Sequence, residues 1–183
     1  MEHKGWHSRG YLPHFDSAEV IQFITFNLAD SLPRHVRAVT REGYTEAFDR
    51  DLDQGQGQCW LARSDIAMAV QETLLHFDGE RYRLLAWCVM PNHVHVVAET
   101  VSGQSIGVVV AGWKSFSARQ ANRLLGRKGP LWHPDYFDRF MRNEEHLSRT
   151  IDYVERNPVS AGLVTDVADW AWSSARWRLE PKV

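Results

Sequence analysis

The run Trp87-Cys-Val-Met-Pro-Asn-His-Val-His-Val-Val-Ala98 admits few folds. Successive side chains of a β-strand point to opposite faces, so His93 and His95 share one face while Val94, Val96 and Ala98 share the other. The valine face calls for a core. The histidine face holds two imidazoles about 7 Å apart, which can grip a divalent metal while the apolar side anchors the strand. Glu99 lies on the same face and is a candidate third ligand.

The surrounding pattern predicts an α+β domain. Val20–Leu28 is β-branched and aromatic and reads as a strand. Arg34–Arg50 reads as a helix opened by Ser31-Leu-Pro33. Residues 51–58 read as a polar loop. Ile66, Val70, Thr73 and Phe77 fall at helical spacing and stop near Asp78-Gly79. Arg83–Val89 and His93–Thr100 form two strands broken by Met90-Pro-Asn92. Ile106, Val109, Val110, Trp113, Phe116 and Leu124 define a long helix, and Tyr136–Met141 a further strand. A last helix begins near Asn143, places Leu147, Ile151 and Val154 on a core face, and is expected to end at Asn157-Pro158. An antiparallel sheet with helices packed on it follows. The chain reads as a single domain over 1–183, with 159–183 an irregular, Trp-rich tail.

Composition bounds the function. The 183 residues are 44% hydrophobic and 24% charged, enough for a sizeable core and too apolar for disorder. No run reaches the roughly 18 apolar residues of a membrane span. The N-terminus lacks a secretory apolar run, and only Cys59 and Cys88 are present, so a reduced, cytoplasmic chain is expected. Net charge is only −2, but it is unevenly spread. Residues 1–103 carry 9 basic and 14 acidic side chains, whereas residues 104–183 carry 12 basic and 9 acidic. Lys114, Arg119, Arg123, Arg127, Lys128, Arg139 and Arg142 interleave with Trp113, Phe116, Trp132, Tyr136, Phe137 and Phe140. Basic groups hold phosphates and aromatics stack on unpaired bases, so this segment is a candidate single-stranded nucleic-acid surface.

Tyr153 and Asn157 stand one turn apart on the last helix and share a face. Laid beside the histidine strand, that helix could bring Tyr153 to the metal and let the Asn157 amide oxygen complete the ligand set. Two nitrogens and one amide oxygen with open positions suit Mg²⁺ or Mn²⁺ better than a closed zinc site. With a scissile phosphate polarised there, the Tyr153 phenolate would attack phosphorus and expel a 3′-hydroxyl, leaving a 5′-phosphotyrosine. No Gly-x-x-x-x-Gly-Lys-Ser/Thr loop is present, consistent with rejoining that needs no nucleotide triphosphate. Activation of the phenol is open between the metal, Arg149 and His146. Tyr136 is a rival nucleophile, and His93, His95 and Glu99 could instead form a metal hydrolase. Cys88 reads as inert packing.

Val89-Met-Pro-Asn-His-Val-His-Val-Val97 resembles the His-hydrophobic-His (HUH) signature of the IS200-like, single-tyrosine transposases. Residues Leu131–Asn143, Ile151–Leu163 and Arg9–Asp16 resemble the branch called REP-associated tyrosine transposases. The resemblance runs from about residue 5 to 177. It implies a ferredoxin-like sheet with the histidines on a central strand and the tyrosine on a C-terminal helix. By motif position it implies His93 and His95 as the metal pair, Asn157 as a supporting polar ligand and Tyr153 as nucleophile. It further implies Mg²⁺ or Mn²⁺, cleavage of single-stranded DNA beside hairpins of repetitive extragenic palindromes, and a monomer or homodimer. Residues 1–18 then become a DNA-recognition segment, with Arg9 a candidate contact beside Lys114, Arg119, Arg123, Arg127 and Lys128. A regulator that keeps the fold without cutting is the alternative.

Overall fold

A computed structural model of the chain describes residues 5–8, 13–16, 20–31, 51–101 and 103–179. Arg9 and the whole of the expected helix over 34–50 lie outside the described residues.

Two short strands, β1 (Gly5–Ser8) and β2 (Pro13–Asp16), form an antiparallel ribbon. The main sheet contains β3 (Ile21–Asn27), β4 (Tyr82–Val89), β5 (His93–Thr100) and β6 (Phe137–Phe140), in the order β4-β5-β3-β6 and antiparallel throughout. Helix α1 (Ser64–Leu75) links β3 to β4, and α2 (Ile106–Leu124) links β5 to β6. This β-α-β-β-α-β order with split crossovers is the ferredoxin-like arrangement that the resemblance implies. No helix among the described residues is long and apolar enough to cross a membrane.

Alternation along the central strands divides the protein into two layers. Ile24, Phe26, Val94, Val96 and Ala98 face α1 and α2 and form the larger core with Val70, Val110 and Trp113. Phe23, Cys88, Val97 and Phe137 face the other way, where α3 (Glu144–Ser160) covers them with Val154, Leu147 and Ile151. Both faces of β5 are therefore covered, and His93 and His95 lie under α3 rather than on an open face.

Three local expectations change. First, α3 runs through Asn157-Pro158 to Ser160. Proline removes only its own N–H, and the turn still closes because Ala161 N donates to Asn157 O at 2.9 Å. Second, the tail is not irregular throughout. A 3-10 turn spans Val167–Asp169 and α4 spans Ser174–Leu179. Val89 N donates to Trp172 O at 2.8 Å, Trp170 Nε1 to Val89 O at 3.0 Å and Trp87 N to Ser174 Oγ at 3.1 Å. The tail thus occupies the outer edge of β4, a row of backbone groups that would otherwise be open to pairing. Third, residues 51–53 are helical and only the stretch after them is loop.

Lys114 also changes role. Its ammonium donates to the carbonyls of His133, Pro134 and Asp135 at 2.8, 3.0 and 3.0 Å. An ammonium has three donors, so phosphate binding would require breaking these bonds. Lys114 ties α2 to the approach to β6. We expect Lys114→Met to lower unfolding free energy in urea by about 1–3 kcal/mol. The same substitution should leave the salt dependence of DNA binding unchanged; a smaller salt slope would return Lys114 to the phosphate contacts.

Candidate active site

His93 and His95 are fully buried at the centre of the sheet. The Cα repeat separates them as the sequence implies, but the rings tilt together. Their centroids are 4.6 Å apart and their Nε2 atoms 3.1 Å. Two cis ligands on an octahedral ion with bonds of about 2.1 Å lie about 3.0 Å apart. The imidazole pair has that bite.

Neighbours fix each ring. Asn92 Nδ2 donates to the carbonyls of Leu52 and Gln56 at 2.9 and 3.2 Å, so its Oδ1 is the atom turned to His93 Nδ1 at 2.7 Å. His93 therefore donates from Nδ1 and presents an Nε2 lone pair, the form a metal needs. His95 Nδ1 lies 2.8 Å from Thr25 Oγ1 on β3, and Phe23 stacks on the same ring at 5.4 Å. Burial, and then His95, hold His93 well below the ordinary imidazole value. The ring stays neutral at pH 7.

Helix α3 supplies the oxygen chemistry. The Tyr153 ring packs edge-on against His95 at 5.7 Å and against Phe23 at 6.1 Å. Asn157 Nδ2 lies 3.4 Å from the Tyr153 hydroxyl. Asn157 is 1% exposed, and its Oδ1 has no hydrogen-bond partner. A buried orphan amide oxygen costs about 1–3 kcal/mol, so such an atom next to Tyr153, whose ring packs on His95, suits a cation donor. Among the described residues, no three His, Cys, Asp or Glu side chains close into a metal cage. A site here must recruit a different donor, and the Asn157 amide is one.

The helix presents these groups on one face, not two. Tyr153, Asn157, Val154, Leu147 and Ile151 fall within an arc of about 160° at 3.6 residues per turn. Tyr153 packs in the same layer as Leu147, Ile151 and Val154. The apolar stripe and the reactive pair are thus one continuous surface laid on β4 and β5.

Other candidates go elsewhere. Glu99 is four residues along β5 from His95, roughly 13 Å, and is paired with Arg83 at 2.6 Å. Tyr136 is buried in the α1/α2 core, behind the sheet from Tyr153. Cys88 is buried and desolvation pushes its thiol well up, as expected of inert packing. Arg119, Arg123, Arg127 and Lys128 belong to α2 and the turn after it, on the sheet face opposite α3. There Arg119 lies 4.7 Å over the Phe116 ring, and Arg127 donates to Pro130 O at 3.2 Å.

Two groupings of residues escaped the sequence reading. Arg139, Arg142 and Arg149 all act on His146, whose imidazole is held below its ordinary value first by burial and then by these three charges. They form a basic cluster at the start of α3. Arg149 is paired with Glu145. The alternation Phe137, Arg139 on β6 was the available signal, since Phe137 faces the α3 layer. The second group is Asp53, whose Oδ1 is 3.7 Å from His93 Nε2. No spacing rule connects residues 40 apart.

The buried imidazole has a thermodynamic consequence. Folded His93 binds a proton less readily than the unfolded chain does, so acid favours unfolding below the ordinary imidazole pKa of about 6.5. We expect urea midpoints of metal-free protein to be flat above that pH and to fall as pH is lowered toward 5. His146 adds to the same slope, so His93→Gln isolates its own share by flattening the decline. An unaltered slope in that variant would exclude His93 as a cause.

Comparison with known proteins places this geometry. The family model described as "Transposase IS200 like" matches residues 64–157, a span that includes His93, His95, Tyr153 and Asn157. A Haemophilus influenzae protein, named as a candidate REP-associated tyrosine transposase, is 26% identical over 121 residues, covering 61% of this chain and 67% of that protein. The REP-associated tyrosine transposase of Escherichia coli is 28% identical over 93 residues, covering 51% of this chain and 54% of that protein. The chain thus spans about half the length of the latter. The solved structure of a REP-associated tyrosine transposase bound to a REP hairpin shares the fold, with a TM-score of 0.58, 20% identity and coverage of 92% of this chain and 86% of that one. The matched model covers half of the chain, with the whole of the histidine strand and the tyrosine helix as far as Asn157: the protein belongs to the family of IS200-like transposases.

Proposed function

We propose that the protein is a divalent-metal-dependent endonuclease and strand transferase for single-stranded DNA, acting beside hairpins of repetitive extragenic palindromes through a 5′-phosphotyrosine. One observation carries the reading: the Tyr153 ring lies 5.7 Å from an imidazole whose Nε2 faces that of His93. A candidate nucleophile and a candidate metal-ligand pair from distant parts of the chain pack in one layer. The relatives named above support DNA as substrate, and the hairpin-bound neighbour supports a hairpin as the recognised feature.

His93 Nε2, His95 Nε2 and Asn157 Oδ1 would hold Mg²⁺ or Mn²⁺. When bound, the ion supplies charge neutralisation at the scissile phosphate. Tyr153 does the covalent chemistry. Its phenolic oxygen forms a bond to phosphorus, the bond from phosphorus to the 3′ oxygen breaks, and the leaving oxygen takes up a proton as a free 3′-hydroxyl. The phosphodiester energy is kept in the phosphotyrosine, so reversal by a 3′-hydroxyl rejoins the strand.

A free phenol ionises near pH 10, so Tyr153 needs help at pH 7. The Asn157 amide, aimed at the hydroxyl oxygen, stabilises the phenolate by hydrogen bonding. Packing against His95 and Phe23 restricts the ring's motion. Arg139 and Arg142, with Arg149, offer positive charge to the DNA backbone on the same side of the sheet as the phenol.

Incubating a hairpin oligonucleotide carrying a single-stranded flank with protein and Mn²⁺ should give a covalent protein–DNA band on a denaturing gel. Tyr153→Phe should lower adduct formation by on the order of 10³ or more while retaining the native gel shift. A full adduct from that variant would exclude Tyr153. A shift with no adduct from the unaltered protein would favour a regulator that keeps the fold.

A further inference from the structure

We infer that Asp53 is the anionic member of this cation site: its carboxylate strengthens divalent-ion binding at His93 and His95 by charge, from a segment that Asn92 locks to the histidine strand. The inference rests on the metal-dependent reading above and adds a residue to it.

Two observations point the same way. Asp53 Oδ1 is 3.7 Å from His93 Nε2. That nitrogen presents a lone pair, because His93 gives its Nδ1 hydrogen to Asn92. A carboxylate oxygen and an imidazole lone pair are both acceptors and repel at close range unless positive charge stands between them. His95 Nε2 lies 3.1 Å from the same nitrogen. The carboxylate does not close a three-ligand cage with the two rings. At this range it acts on a divalent ion through its charge and through the waters that such an ion retains.

The second observation is the tether. Asn92 Nδ2 donates to Leu52 O, the residue before Asp53, while Asn92 Oδ1 orients His93. Leu52 itself is fully buried. One side chain therefore sets both the imidazole and the backbone that carries the carboxylate. The pairing of Asp53 with the histidine strand is built into the fold, although the residues are 40 apart in sequence.

The test is Mn²⁺ affinity of the full chain, read by electron paramagnetic resonance or calorimetry without DNA. Asp53→Asn keeps shape and removes charge; it should weaken Mn²⁺ by about tenfold or more, the usual effect of losing an outer-shell partner. Its thermal midpoint in EDTA should match the unaltered protein, and Asp53→Glu should recover part of the affinity. If Asp53→Asn misfolds, Asp53→Ser carries the same comparison. Binding within twofold for Asp53→Asn, with loss in His95→Ala, overturns the role of Asp53 and leaves the function standing. Absence of Mn²⁺ binding by the unaltered protein overturns both.

Discussion

Everything in this protein depends on burying two imidazoles at the middle of a sheet. Polar groups out of water cost free energy unless their hydrogen bonds are replaced. Here Asn92 takes one Nδ1 and Thr25 faces the other, while Phe23 and Tyr153 cover the ring of His95. The Nε2 atoms are what remains, and they are turned to each other at 3.1 Å. The same packing that keeps water away holds the His93 ring well below its ordinary imidazole value, with an Nε2 lone pair turned to His95. A solvent-exposed pair with the same spacing would be free to rotate and to protonate.

The ferredoxin-like topology explains why the site is on this side. Both crossover helices, α1 and α2, pack on the valine face of β5, which leaves the histidine face to a later element. Helix α3 fills that role after the chain has crossed to the edge strand β6. Its N-terminus is fixed by Asn143, whose side chain accepts from His146 N at 2.8 Å. The position of Tyr153 is then a matter of helix length from that cap.

Sequence pattern reveals some of this and not the rest, for physical reasons. The alternation of His93–Ala98 is local, so strand, faces and histidine pair can all be read from six residues. The stripe Leu147, Ile151, Val154 likewise marks α3. What fails is the division of that helix into separate apolar and reactive faces, because a face laid on histidines and phenylalanines mixes both kinds of residue. The tie made by Lys114 is hidden for another reason. Its acceptors are backbone carbonyls at 133–135, and carbonyls have no signature in sequence. The Trp-rich tail looks irregular because its partners are backbone atoms of the β4 edge. Asp53 depends on Asn92, with α1 and β4 between them in the chain, and nothing short of the fold connects them.

The distribution of charge follows the same two-sided logic. The basic stretch that stands out in sequence is mostly on α2, behind the sheet from the phenol. The charges on the reactive side, Arg139, Arg142 and Arg149, come from three separate places: an edge strand, the residue before a helix cap and the second turn of α3. Arg139 and Arg142 belong to the basic stretch read from sequence, whereas Arg149 stands apart from it. All three lower the His146 imidazole from its ordinary value by their charge, after the effect of burial. A strand whose phosphate reaches Tyr153 therefore meets positive charge from β6 and the start of α3 before it could meet any from α2. To touch both it would have to pass around an edge of the sheet. One edge is β4, already occupied by the C-terminal residues through Trp170 and Trp172. The other is β6, which carries Arg139 and leads directly to Arg142. On the proposed reading, charge favours an approach from the β6 side, where β2 packs against the strand.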